Sequence, residues 1–247
     1  MCGIFGIISK NLDKYNKDFI YSDLEKMIKS SFLRGSDGLG VCLSGKQRFK
    51  IYRETRKDDS EFDKNFKKFF FNYISKIDNP FAVIGQTRLP MIGNHNYNEN
   101  ISPIETDEII GVHNGNIIFD TLNLQNLEFS KKSDTKILYE KITKIFLNNQ
   151  DDYEKKILEF LTLLEGDYSI VFFIKKINKI YLASNTGSLY YQNNLENKND
   201  ILFFSSEKFY LKKFLQKSNI NSGGNFDIKN IKKKMFCFEN NNLREVL

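Results

Sequence analysis

Cysteine stands at position 2, directly after the initiator methionine, and a glycine and an apolar run follow it in MCGIFGIIS. Removal of Met1 would leave Cys2 with a free α-amine beside its own thiol. An α-amine titrates at about 7.7–8.0 and a thiol at about 8.5, so one residue would hold a nucleophile and a base matched to it. Three further polar clusters have types that could do chemistry with such a nucleophile: Thr87-Arg88-Leu89, His113-Asn114-Gly115 and Ser133-Asp134-Thr135. Singly they are ordinary. A strand-end arginine is more often a surface ion pair, Asn-Gly a turn and Ser-Asp-Thr a helix cap. Together they supply a nucleophile, a clamp for a carboxylate, donors for an oxyanion and an anion for an ammonium. Hydrolysis of an amino-acid amide needs those four things.

The elements around the clusters follow from hydrophobic periodicity. Residues 2–9 read as a buried strand, and YSDLEKMIKSSFL over 21–33 has helical spacing. The glycine-punctuated RGSDGLGV leads into strands near 39–53, and DDSEFDKNFKKFFFNYISKI is a helix with an acidic start. FAVIGQTRL is a strand ending in polar residues, whereas EIIGVHNGNI reads as a strand broken by an Asn-Gly turn. Helices are expected from SDTKILYEKITKIFL and over 152–164, the first opened by a plausible N-cap. After Gly166 come strands at YSIVFFI, KIYLAS, DILFFSS and KKKMFCFE, with a short helix near 206–216. No repeat or Pro/Ser-rich linker divides the chain, so one domain over 1–247, with antiparallel sheets covered by helices, is expected.

Composition removes several function classes. The 247 residues are 40% apolar, enough for a substantial core, and carry a net charge of +6. The lysines are interleaved with acids, with no basic face bearing stacking aromatics, so nucleic acid is not expected as a partner. The three cysteines, Cys2, Cys42 and Cys237, form no CxxC. That argues against a zinc site and a disulfide framework and fits a reducing cytoplasm. No signal segment opens the chain and no run of about 18 apolar residues appears, so neither secretion nor a membrane is expected.

MCGIFGI, RGSDGLG, GQTRLP, VHNGNI and SDTK, in this order and spacing, resemble the glutaminase domain of class II glutamine amidotransferases. LEGDYSIVFF, LASNTGSLYY and LFFSSEKFYL extend the resemblance to about residue 215. The family implies a four-layer αββα sandwich of two antiparallel sheets flanked by helices, the N-terminal nucleophile hydrolase fold. It implies L-glutamine as substrate and no cofactor or metal. Carried over by position, Cys2 is the nucleophile, and Asn114 (side-chain amide) and Gly115 (backbone N–H) form the oxyanion hole. Arg88, followed by Leu89, grips the α-carboxylate, and Asp134 receives the α-ammonium. Arg34, Gly35 and Asp37 match a supporting loop near the nucleophile, and His113 is read as packing or loop support. Departures from the family pattern are Gln86 where His is common, Asn116 after Asn-Gly, Met91 in the substrate loop and Ser102 before Pro103. None of these removes a catalytic group.

Two other readings of the motifs are weaker. A papain-like Cys-His-Asn set places its residues far apart in sequence, unlike His113-Asn114, and an N-terminal amine makes the histidine unnecessary. NSGGNFD at 221–227 resembles the pyrophosphate loop of ATP-dependent synthetases but reads as a turn into a terminal strand. The resemblance implies a glutaminase subunit giving ammonia to a separately encoded synthetase or transferase. RGSDGLG, SLYY and FFSSE lean towards an asparagine-synthetase-like acceptor. RLPMIG and NENISP point to sugar-isomerising or phosphoribosyl branches instead. A catalytically silent glutamine-binding subunit is the alternative from another class, and the intact Cys2, Arg88, Asn114, Gly115 and Asp134 oppose it.

Overall fold

The computed structural model describes residues 2–45, 48–55, 59–76, 79–88, 101–119, 133–194, 200–220 and 226–247. Along the chain run β1 (Gly3–Ser9), α1 (Lys17–Ser31), β2 (Gly38–Gly45), β3 (Arg48–Thr55), α2 (Asp59–Ile74) and β4 (Phe81–Arg88). Then come β5 (Ile104–Glu105), β6 (Ile109–Ile118), α3 (Asp134–Asn148), α4 (Tyr153–Thr162), β7 (Glu165–Ile174) and β8 (Lys179–Ser184). The last part holds β9 (Tyr190–Asn193), β10 (Ile201–Ser205), α5 (Lys208–Leu215), β11 (Ile228–Asn230), β12 (Lys234–Glu239) and β13 (Asn242–Glu245).

Among the described residues the strands form two antiparallel sheets. The first has the order β11-β9-β10-β1-β4-β2-β3, and the second β13-β12-β8-β7-β6-β5. Three apolar layers separate four layers of structure. Phe5 and Ile7 of β1 pack with Leu24, Met27 and Ile28 of α1, Phe66 and Phe70 of α2 and Phe214 of α5. Ile4 and Ile8, on the other face of β1, join Ile84, Val112, Val171 and Phe204 between the sheets. Ile109, Ile170 and Phe172 lie outside the second sheet against Leu138, Ile142 and Phe146 of α3 and Ile157 and Leu161 of α4. This is the expected αββα sandwich. Both faces of the central strands are buried, which is why GIFGIIS lacks polar alternation: all seven residues are buried. Each fully buried Ile or Phe in these layers contributes about 1.5–3 kcal/mol relative to exposure. Among the described residues no helix is long and apolar enough to cross a membrane.

Three expectations need correction. Helix α1 begins at Lys17, before the expected residue 21, because the Asn16 side chain caps it by accepting from the Asp18 N–H. The Asn-Gly at 114–115 does not turn the chain. Strand β6 runs through it to Ile118 and stays paired with β7, Gly115 opposite Tyr168 and Asn116 opposite Asp167. Gly115 takes φ 146°, and a Cβ there would overlap the carbonyl oxygen of Asp167, so the glycine serves a close strand approach. The short strands β5, β9, β11 and β13 were not expected, since two to four residues leave little periodicity to read.

A Cβ on Gly40 in β2 would fall 1.6 Å from the backbone carbonyl oxygen of Ser102, in the segment entering β5. A backbone atom cannot swing aside as a side chain can. Gly40→Ala is therefore expected to lower stability by about 2–3 kcal/mol. Urea unfolding of the two proteins, compared at equal m-value, checks it.

Candidate active site

The start of β1 is fastened from three sides. Gly3 pairs with Thr87 of β4, and a Cβ on Gly3 would press to 2.8 Å from Thr87 Oγ1 and 3.1 Å from the Ser31 carbonyl oxygen. Thr87 Oγ1 itself donates to that Ser31 carbonyl at 2.8 Å, tying β4 to the end of α1. Glycine after Cys2 thus lets β1 reach the seam between helix and sheet. On the other side, Ile4 N–H donates to Ser206 Oγ at 3.0 Å and Ser206 N–H returns to the Ile4 carbonyl at 2.9 Å.

The supporting loop lies behind this seam. Arg34, its side chain 7% exposed, pairs with Glu207 at 2.6 Å and donates to the Ser206 carbonyl at 3.2 Å. The Gly35 N–H closes the turn onto the Phe32 carbonyl at 3.2 Å, and the Asp37 N–H donates to the Arg88 carbonyl at 3.0 Å. These residues brace the ends of β1 and β4 and are not among the described residues that line the cavity in front of them.

That cavity, about 510 Å³, opens at the end of the sandwich where the two sheets meet α3. Cys2, Arg88, His113, Asn114, Gly115 and Asp134 all line it. Cys2 and Arg88 come from the first sheet, Asn114 and Gly115 from β6 of the second, and Asp134 from the first residue of α3. Helix α3 is capped by Ser133, whose hydroxyl accepts from the Lys136 N–H at 3.2 Å. The Asp134 carboxylate accepts from the Thr135 N–H at 2.7 Å and the Ile117 N–H at 3.3 Å, so α3 and β6 fix it jointly. A carboxylate in the first helical turn is also favoured by the helix dipole. Leu89, the remaining expected substrate contact, and Met91 lie outside the described residues.

His113 is buried beneath the start of α3. Its Nδ1 lies 3.0 Å from Thr135 Oγ1 and 3.8 Å from Asp134 Oδ2. Burial pushes its imidazole pKa down, against the opposing pull of the Asp134 carboxylate, which favours the neutral ring. Successive residues of a strand face opposite sides, which puts the His113 side chain towards α3 and that of Asn114 towards the gap between the sheets. This suits a brace for α3. The other two thiols are unsuited to chemistry. Cys42 and Cys237 are buried, which raises the pKa of both, that of Cys237 to about 12, whereas Cys2 is partly exposed at the cavity wall.

Sequence reasoning gave no role to several residues of the cavity wall, including Gln86, Thr135, Asp167 and Thr186. For Gln86 a signal existed. It is two residues before Arg88 on a strand, and so faces the same way.

No family model matches the chain. By sequence it is similar to the glutamine–fructose-6-phosphate aminotransferase (isomerizing) of Bacillus spizizenii, 29% identical over 199 residues. The match covers 76% of this chain and 30% of that protein. Its structure is similar to glutamine phosphoribosylpyrophosphate (PRPP) amidotransferase from B. subtilis, with TM-score 0.65 and 18% identity, over 99% of this chain and 49% of the other. The allosteric regulatory enzyme of purine biosynthesis matches with TM-score 0.66 and 17% identity, over 99% and 48%. The chain thus spans about a third of the curated relative and about half of these solved chains. Its architecture is shared with these two solved enzymes over nearly the whole of its length. These similarities agree with the resemblance to class II glutamine amidotransferase domains that the five ordered motifs carry.

If Arg88 and Asp134 hold the charged ends of the substrate, Arg88→Lys and Asp134→Asn should each lower kcat/KM for glutamine by about ten- to a hundredfold, the worth of a hydrogen bond to a charged group. His113→Ala should cost far less. Steady-state glutamate release by the three variants decides it. A folded His113→Ala protein as the most damaged of the three would reopen the Cys-His-Asn reading.

Proposed function

We propose that the chain hydrolyses the side-chain amide of L-glutamine to glutamate and ammonia, with Cys2 as nucleophile once Met1 is removed. One observation carries this reading: a single cavity gathers Cys2, Arg88, Asn114, Gly115 and Asp134 from two sheets and a helix. The α-amine of Cys2 takes the thiol proton, and the sulfur attacks the amide carbon. The carbonyl oxygen becomes an oxyanion held by the Asn114 side-chain amide and the Gly115 N–H. One such donor is typically worth about 10²–10³ in turnover. As the C–N bond breaks, the ammonium form of the α-amine gives its proton to the departing nitrogen, and ammonia leaves. Water, deprotonated by the same amine, then cleaves the γ-glutamyl thioester and restores the thiol. Arg88 presents a planar fork to the α-carboxylate, which a lysine cannot copy.

Cys2→Ala should abolish glutamate release while leaving glutamine binding largely intact, because binding rests on Arg88 and Asp134. Turnover and equilibrium binding, measured separately, test this. Intact mass of the purified protein should show that Met1 is absent. Substantial turnover by Cys2→Ala, or retention of Met1 in an active preparation, would falsify the N-terminal mechanism.

Ammonia free in water is protonated near neutral pH and lost as a nucleophile. We therefore read the product as destined for an acceptor site on a synthetase or transferase unit. The similarity to a fructose-6-phosphate aminotransferase and to a PRPP amidotransferase supports a sugar-phosphate or phosphoribosyl acceptor. It gives no support to the lean towards an asparagine-synthetase-like partner. The lone chain should then be a slow glutaminase, and the acceptor unit with its substrate bound should raise glutamate release. Rapid turnover, unchanged by any acceptor unit, would make it a simple glutaminase.

A further inference from the structure

Gln86 lies in β4 between Ile4 of β1 and Gly40 of β2. It is 4% exposed, in the inter-sheet layer. Its Nε2 donates a hydrogen bond across the gap to the carbonyl of His113 in β6. A carbonyl can only accept, so this contact fixes which end of the amide faces β6. The accepting carbonyl belongs to the peptide bond whose nitrogen is that of Asn114. Holding that peptide plane sets the direction in which the Asn114 side chain leaves the strand and, one residue on, the Gly115 N–H.

Helix α3 holds this end of β6 from the outer face, through the Tyr139 hydroxyl on the Val112 carbonyl at 2.6 Å and Asp134 on the Ile117 N–H at 3.3 Å, but within the sheet it is paired on one side only. Beyond Gly111 the pairing with β5 stops, and among the described residues only β7 continues alongside. Gly115, at φ 146°, adds backbone freedom where the oxyanion donors need a fixed place. The other amide atom of Gln86, Oε1, is buried with no hydrogen-bond partner among the described residues. A leucine would fill the space without that cost, so the amide is present for what its N–H does.

We propose that Gln86 is a positioning residue for the oxyanion donors: by tying the 113–114 peptide to β4, it sets Asn114 and Gly115 against the sheet that carries Cys2 and Arg88. The inference rests on the glutaminase reading above. It concerns alignment in the transition state, so its loss should appear in kcat.

The test uses the whole chain with Gln86→Leu and Gln86→Glu. Gln86→Leu should lower kcat about ten- to a hundredfold, as small misalignments of reacting groups do, with KM nearly unchanged. Alkylation of Cys2 by iodoacetamide should proceed at the wild-type rate. In Gln86→Glu the carboxyl can donate to the His113 carbonyl only when protonated, and burial favours the protonated form. The ratio of its kcat to that of wild type should therefore rise as pH falls from about 8 to about 6. An unchanged kcat in folded Gln86→Leu overturns the proposal, as does a raised KM at constant kcat, which would make Gln86 a binding contact. If Gln86→Leu does not fold, a pH-independent ratio for Gln86→Glu overturns it instead. A wild-type protein that releases no glutamate removes the glutaminase reading and this proposal together. An active wild type with unaffected variants removes the proposal alone.

Discussion

The inner faces of the two sheets meet through Ile4, Ile84 and Phe204 on one side and Ile110, Val112 and Val171 on the other. This contact sets how far Cys2 lies from the Asn114–Gly115 backbone. Neither sheet carries the whole constellation. A close-packed apolar layer is stiff, so it can hold a distance to a few tenths of an ångström where a loop could not. The αββα stacking is thus more than a way of burying surface. The outer helices cover the outer faces, and the inner layer becomes a spacer with the chemistry at its end.

The spacer and the site share the same strands. In β6, Ile109 to Val112 are core, while His113 to Asn116 line the cavity. In β4, Phe81 to Ile84 are core, while Gln86 and Arg88 reach the cavity. Each strand changes from apolar to polar within two residues and keeps its pairing through the change. This rigid presentation suits groups that must be aligned before the substrate arrives. It also explains why the Asn-Gly of β6 had to remain in a strand: as a turn, it would have been aimed by a loop.

That point shows where sequence reasoning stops. The layers were legible because apolar period and length distinguish helices such as α3 from continuous buried strands such as β1. Five of the six residues expected at the nucleophile, the oxyanion hole and the substrate contacts meet at one cavity, because the motifs that carry them fall at the ends of those elements. The sixth, Leu89, lies outside the described residues. Asn-Gly was read as a turn from local propensity, and pairing with β7 overrode it. Gln86 was noted as a departure and no more. Its partner is the backbone of a different sheet, 27 residues away, and a backbone carbonyl leaves no mark in sequence. The same holds for Asp134, whose grip on the Ile117 N–H joins elements separated by residues that no periodicity connects.

Polar groups elsewhere show what a purely structural cluster looks like. At the outer edge of the second sheet, Arg244 donates to both oxygens of Glu154 at 2.8 and 2.6 Å, and Lys179 pairs with Glu239 at 2.5 Å. Tyr181 adds a bond to Glu154 at 2.7 Å. Burial would raise the carboxyl of Glu154, but Arg244, Tyr181 and Lys179 outweigh it and hold it below its ordinary range. Glu154, Cys237 and Glu239 bring potential metal-ligand atoms close together, yet the two cations already occupy the carboxylates' lone pairs. In that cluster charge is matched with charge. The cavity at the other site is built in the opposite way. Its wall holds a partly exposed thiol, a carboxylate on a helix N-terminus and a glutamine whose amide oxygen has no partner among the described residues. One cluster matches carboxylates with cations, whereas the other sets a carboxylate held by backbone N–H groups in the same wall as a partly exposed thiol, the mixture that the proposed hydrolysis would use.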